Sequence, residues 1–175
     1  DCLLLDLEPG ESRIYISRLP EDEASLPKPP KQRPVKRQEL HGEIRLSAAF
    51  VQEKDTNNNF RPMGSLDSLT DLSMRDEFLD FHGILRYEMD FSFHADAQST
   101  GKETIFLDGA NEVVSLSVNG QKALVRIGSP YRFEVGPFLK DGENHLVIEN
   151  ITAVFPYVKD HPSINTGLHP MGLCG

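Results

Sequence analysis

The sequence predicts an all-β antiparallel sandwich, and three observations support this fold class. Residues 85–93 alternate between apolar and polar side chains, as a strand with one buried face does. Asn119-Gly120 is the pair of residues that most readily adopts the positive φ angles of a type I′ hairpin. No long amphipathic helix is evident. In a sandwich of this kind, function is expected on the surface and in the loops.

The first 40 residues are expected to lie outside the main body. Residues 1–19 read as two short strands around Pro9-Gly10, either tail strands of a preceding domain or an edge hairpin of this one. Residues 20–40 contain five of the 12 prolines and several Lys and Arg residues, which predicts a semi-rigid linker. A polyproline ligand or a basic docking strip is the functional alternative.

Residues 41–175 are predicted to form the sandwich. Its expected elements are a strand over 43–50, a polar loop over 55–59, a short helical turn or an irregular connection over 66–72, a strand over 83–93 and a strand ending at Leu107. The run from Leu107 to Asn150 is predicted to be one antiparallel ladder with turns at 119–120 and 141–144.

Charge and hydropathy exclude several classes of partner. With 27 acidic and 18 basic residues the net charge is −9, so phosphate backbones and anionic lipids would be repelled, and neither nucleic acid nor membrane is expected as a partner. No segment approaches the roughly 20 apolar residues of a bilayer span. The chain begins without Met and looks like a piece of a longer polypeptide, which leaves secreted, periplasmic and cytoplasmic locations open. Cys2 and Cys174 lie near opposite ends and are expected to be free thiols.

Metal sites have weak support in the sequence. Residues 55–59 (DTNNN) open like a calcium loop, but Phe60 replaces the turn glycine and Leu66 the bidentate glutamate. A polar surface loop is therefore predicted, with structural calcium as the alternative, and no cofactor is expected. Among six histidines, His161 and His169 share a loop, yet two ligands without a third favour solvated side chains.

No motif nominates a catalytic residue, since GxSxG, Walker and Rossmann patterns are absent from the sequence. Carbohydrate binding needs only an apolar platform and a few fixed polar groups. By residue type, the candidates for such contacts are Arg86, Asn119, Tyr131, Phe155 and Tyr157. Each also has a structural explanation, such as a hairpin turn for Asn119 and a core position for Tyr131.

The order of several motifs resembles the sugar-binding, galactose-binding-like jelly-roll domains of large bacterial glycoside hydrolases. The matching residues are 66–71 (LDSLTD), 82–91 (HGILRYEMDF), 105–109 (IFLDG), 118–120 (VNG), 142–148 (GENHLVI) and 170–175 (PMGLCG). The resemblance is closest to the family 2 sugar-binding type and to α-L-rhamnosidase-like enzymes, and it covers about residues 41–175. Residues 7–12 (LEPGES) are similar to the strands that precede such domains, whereas Leu72 replaces a tryptophan found in many relatives.

The resemblance implies a non-catalytic accessory domain that supports a catalytic domain elsewhere in the same polypeptide and contacts carbohydrate weakly. In such enzymes the catalytic acids lie in a separate barrel, so none maps onto this sequence. Two alternatives stay open. The first is an autonomous carbohydrate-binding module with its own site at the loop end, and the second, less favoured, is an intact hydrolase.

Overall fold

The protein is seen in a computed structural model that describes residues 37–50, 59–79, 81–95, 101–152 and 170–174. The chain divides into two units at Leu40, and every strand in the described part belongs to the second unit, His41–Gly175. These strands are β1 (Ile44–Phe50), β2 (Arg61–Leu66), β3 (Gly83–Phe93), β4 (Thr104–Leu107), β5 (Val113–Val118), β6 (Gln121–Ile127), β7 (Tyr131–Glu134) and β8 (Gly142–Ile151).

All strand pairs are antiparallel, which confirms the predicted all-β class. One sheet has six strands in the order β2-β1-β3-β8-β5-β6, and a second sheet pairs β4 with β7. The only helical elements in the described ranges are two 3-10 turns, Asp76–Phe78 and Gly136–Phe138. None of the helices described is long and apolar enough to span a membrane.

The core lies where the two sheets face each other. β3 alternates strictly between buried and more exposed residues, as predicted, and it pairs with β1 on one side and β8 on the other. Leu85 of β3 packs in one cluster with Leu116 of β5 and Phe133 of β7, all with essentially no exposed surface. Burying side chains of this size contributes about 1.5–3 kcal/mol each, so the alternation of these strands fixes which face points inward.

The expected single ladder from Leu107 to Asn150 is wrong in one respect, because this run is divided between the two sheets. β5, β6 and β8 belong to the six-stranded sheet, whereas Ile105 and Leu107 of β4 pair with Phe133 and Tyr131 of β7. Alternation identifies a half-buried strand but carries no information about which sheet receives it. The hairpin between β5 and β6 is as predicted, with φ values of 53° at Asn119 and 76° at Gly120.

The connection from β2 to β3 contributes side chains to the core. Residues 67–72 are irregular, which was one of the two alternatives, and Leu66 itself ends β2. Leu72, Phe78 and Phe81 are buried in this connection. The oxygen Oδ1 of Asp71 accepts a hydrogen bond from the Met171 backbone N–H at 2.9 Å, which connects residues 170–174, the closing segment, to residues 67–72.

The closing segment passes over the buried side chain of Tyr87. Leu173 is fully buried, bridges to Ala110 and donates its N–H to the Tyr87 hydroxyl at 3.3 Å. A Cβ at Gly172 would collide with that hydroxyl, so the close approach requires glycine. Cys174 is a free thiol, and burial raises its pKa.

Several predictions fall outside the described residues. They concern the strands of 1–19, the linker up to residue 36, Cys2, the calcium-like loop apart from Asn59, and the loop residues Phe155, Tyr157, His161 and His169.

Candidate functional site

The candidate site is the outer face of the six-stranded sheet, which is the face opposite the core. Paired residues of antiparallel strands project from the same face, so the register arranges this surface in rows that cross β1, β3, β8, β5 and β6. The apolar row comprises Ala49, Ile84, Ile151, Val113 and Ile127. The ion-pair row comprises Ser47, Arg86, Glu149, Ser115 and Val125. The third row comprises Arg45, Glu88, Val147, Ser117 and Lys122.

Arg86 is fixed in position by two different contacts. Its Nε and Nη2 atoms donate hydrogen bonds to Oε1 of Glu149 at 3.1 and 2.6 Å, and both side chains are 31% exposed. Its guanidinium carbon lies 3.4 Å from the ring centroid of Phe60, which covers one side of the plane. Two of the five guanidinium N–H groups are used by Glu149, which leaves three for other acceptors.

A second cluster of charged side chains lies on the same face, where Asp90 and His145 are paired next to Arg45 and Glu88 of the third row. Asp90 accepts a hydrogen bond from Nη2 of Arg45 at 3.1 Å and lies 2.7 Å from Nδ1 of His145. The hydrogen bonds to His145 and Arg45 hold the pKa of Asp90 below its ordinary value. The other ring nitrogen of His145 lies 3.6 Å from a carboxylate oxygen of Glu88. No group of three His, Cys, Asp or Glu side chains in the described ranges is arranged to hold a metal ion.

The side chain of Asn119 makes hydrogen bonds to neighbouring residues of the protein. Its Nδ2 donates to the backbone oxygen of Phe138 and to Oδ1 of Asn144, both at 2.8 Å. Its Oδ1 accepts the backbone N–H of His145 at 3.1 Å. The side chain therefore connects the β5–β6 hairpin to the start of β8.

Tyr131 is buried in β7, and its hydroxyl donates to the backbone oxygen of Glu112 at 2.7 Å. Burial raises its pKa, and the nearby charge of Glu112 adds to this effect. The structure thus places the three described candidates in different parts of the sandwich: Arg86 on the outer face, Asn119 in a hairpin and Tyr131 in the core. The predicted carbohydrate contacts at Asn119 and Tyr131 stay predictions.

Sequence reasoning did not single out Glu149, His145 or Phe60 as members of this surface. The alternation of β8 contains enough signal to place Glu149 and His145 on a polar face. Their pairing with Arg86 and Asp90 depends on the register between β3 and β8, and the two pairs join residues that are 63 and 55 positions apart in the chain. Phe60 gave no signal, since it follows a polar loop and precedes a strand containing proline and glycine.

Comparisons with known proteins identify the fold. No protein-family model and no curated protein matches the sequence. Among solved structures, a rhamnosidase from Novosphingobium sp. PP1Y matches with a TM-score of 0.60 and 20% identity over 82% of this chain. A β-glucuronidase from Ruminococcus gnavus matches with a TM-score of 0.50 and 15% identity over 69% of this chain.

At these identities the likeness concerns the fold alone, and that fold is one found in glycoside hydrolases. The chain is much shorter than either structure, since it covers only 15% of the rhamnosidase chain and 23% of the β-glucuronidase chain. It therefore corresponds to a part of each of these larger hydrolases.

Proposed function

We propose that this chain is a non-catalytic, galactose-binding-like jelly-roll domain of a multidomain glycoside hydrolase, where it supports the catalytic domain. The observation that carries this proposal is the likeness to two glycoside hydrolases over only 15% and 23% of their lengths. The order of motifs along residues 41–175 supports the galactose-binding-like assignment, and its partners are the other domains of the same polypeptide.

The chemistry of the acidic outer-face residues agrees with a non-catalytic role. Glycoside hydrolysis requires two carboxyl groups facing each other across a cleft, one of them with a raised pKa so that it can act as an acid. Asp90 has a lowered pKa, and Glu149 is paired with Arg86. Both lie on a sheet face and serve as hydrogen-bond acceptors for neighbouring side chains.

Carbohydrate contact is the second part of the proposal, and Arg86 is its centre. The contacts to Glu149 and Phe60 hold the guanidinium in one orientation, which reduces the entropy lost when it binds a ligand. Its remaining N–H groups can donate to vicinal hydroxyls of a sugar. Ser47 flanks the pair in the same row and adds a partly exposed hydroxyl group, whereas Ser115 on the other side is buried.

The catalytic question is tested by comparing three samples: the intact polypeptide, the polypeptide without this chain, and this chain alone. Aryl α-L-rhamnosides and aryl β-D-glucuronides are suitable probes, because the two matched structures are a rhamnosidase and a β-glucuronidase. We expect hydrolysis by the intact polypeptide and none by this chain alone. Hydrolysis by the purified chain would overturn the proposal.

Carbohydrate contact is tested by affinity electrophoresis of this chain in gels containing plant or microbial polysaccharides. We expect weak retardation that is lost in Arg86→Ala and kept in Arg45→Ala, a matched control that removes an outer-face arginine from another ion pair. Strong retardation that is lost in Tyr157→Ala instead would favour the alternative, an autonomous binding module with a loop-end site. No retardation on any polysaccharide would leave only the supporting role.

A further inference from the structure

One edge of the six-stranded sheet exposes aliphatic side chains on both faces. β6 is the terminal strand and pairs only with β5 among the described strands. Leu124, Val125 and Ile127 in its second half are 42%, 40% and 84% exposed. Lys122 and the bulge opposite Leu116/Ser117 protect only the first half of the strand.

The exposure continues inward from β6 along the apolar row. Ile127 is opposite Val113, Val113 is opposite Ile151, and Ile151 is opposite Ile84. Ile151 is 40% exposed, and Val113 and Ile84 are partly exposed. Contiguous aliphatic surface of this kind marks an interaction site more often than scattered apolar residues do.

The opposite edge strand, β2, carries features that prevent further strand pairing, whereas the second half of β6 largely lacks them. β2 carries Arg61, Pro62, Gly64 and Ser65, and it interrupts its pairing with β1 by a register shift. Charge, proline and bulges are the means by which edge strands avoid further pairing. The second half of β6 has only Arg126 in this role, and its Nε atom is turned to the backbone oxygen of Arg132 at 3.0 Å.

We propose that the second half of β6 and the apolar row dock a further domain of the same polypeptide, whose surface there is apolar and bordered by carboxylates. This inference rests on the proposed function, because it requires a parent enzyme with other domains. Both matched structures have more than three quarters of their chain outside the matched part, so such a parent has ample surface to cover the row.

Charge favours a different domain over a second copy of this chain. β6 contains the cations Lys122 and Arg126 and no acidic residue, although the whole chain carries a net charge of −9. A two-fold symmetric contact through β6 would bring both cations of each copy into one interface, where like charges repel. A partner surface with carboxylates beside an apolar centre pairs with Lys122, which lies on the same face as Ile127, and buries Ile127.

The test uses the intact polypeptide with a photo-crosslinking amino acid at position 127 and, in parallel, amide exchange of β6. We expect crosslinks within the same polypeptide to a domain outside this chain, and β6 amides that exchange about tenfold more slowly than in the isolated chain. Ile127→Asp should abolish this protection. Met74→Asp, at a residue that is 70% exposed outside β6 and the apolar row, should keep it.

Two results would overturn the inference. One is equal exchange of β6 in the intact polypeptide and the isolated chain, and the other is a crosslink between two copies of position 127. Neither result affects the proposed function, which depends on hydrolysis by the intact polypeptide and its absence from this chain. Circular dichroism of isolated Ile127→Asp should match that of the unsubstituted chain, because this side chain is 84% exposed.

Discussion

Replacement of Asn144 by alanine should destabilise the sandwich more than replacement of any other buried amide in the described part. The side chain is 2% exposed and uses all four of its hydrogen-bonding positions. Oδ1 accepts from Nδ2 of Asn119 and from the Lys140 N–H, both at 2.8 Å, and Nδ2 donates to the backbone oxygens of Lys140 and Gly142, both at 2.9 Å.

The magnitude follows from the number of partners and their access to water. Each hydrogen bond contributes about 1 kcal/mol net, and a buried group left without its partner costs about 1–3 kcal/mol. Lys140 is exposed and Gly142 partly exposed, so water replaces part of what is lost at their backbone groups. We therefore expect Asn144→Ala to lower the free energy of unfolding by about 2–3 kcal/mol.

Asn150→Ala is the matched control for this prediction. Asn150 is 1% exposed and also lies on β8, but its amide makes only two hydrogen bonds, to the backbone oxygens of Asn111 at 2.6 Å and Val113 at 3.3 Å. We expect a loss of about 1 kcal/mol. Urea unfolding followed by far-UV circular dichroism measures both. A loss for Asn150→Ala equal to or greater than that for Asn144→Ala would refute the count of hydrogen bonds as the cause.

Three further outcomes are expected. Burial raises the pKa of Tyr87 to about 12, so the folded chain keeps a proton that the unfolded chain releases near pH 10. The free energy of unfolding should therefore fall by about 2–3 kcal/mol as the pH rises from about 10 to 12. Urea midpoints of Tyr87→Phe should lack this fall. Hydrogen bonds, led by that to His145, lower the pKa of Asp90 in the folded chain. The ionised Asp90 therefore adds stability above its ordinary pKa of 3.8, and this stability is lost as the pH falls through the lower folded value. NMR titration should place the midpoint of Asp90 below 3.8, and a midpoint above 3.8 would contradict the observed contacts. Phe133→Ala should cost about 3–5 kcal/mol in urea unfolding, because the side chain has no exposed surface, whereas a comparable loss in Phe106→Ala, at a residue 45% exposed, would show that burial is not the cause.

Sequence patterns predicted the parts of this fold that depend on local chemistry. The alternation over 83–93 gave the face and the length of β3, and the pair Asn119-Gly120 gave the hairpin, because positive φ at both turn residues is a local requirement. The polar face of β3, with Arg86, Glu88 and Asp90, was also expected from the alternation.

The parts that were missed depend on long-range pairing or on irregular edges. β2 contains Pro62 and Gly64, which interrupt a strand pattern but are tolerated at a sheet edge. β6 does not alternate, since its bulge places Lys122, Val125 and Ile127 on one face at unequal spacing. The contacts of the candidate site join β3 to β8 across the chain, and a single sequence gives no measure of that register.

The register between β5 and β8 is set by more than the core. A slip of one residue would turn the buried Leu116 outward, which burial forbids, but a slip of two residues would keep every side chain on its face. Such a slip would place Ile151 opposite Ser115 instead of Val113 and so break the apolar row. Asn119 opposes this slip, because its backbone N–H donates to the His145 oxygen at 2.8 Å while its Oδ1 accepts the His145 N–H at 3.1 Å. Asn119, a residue of the β5–β6 hairpin, thereby keeps the apolar row continuous across β8, β5 and β6. The row crosses β5 at Val113, at the opposite end of the strand from the hairpin.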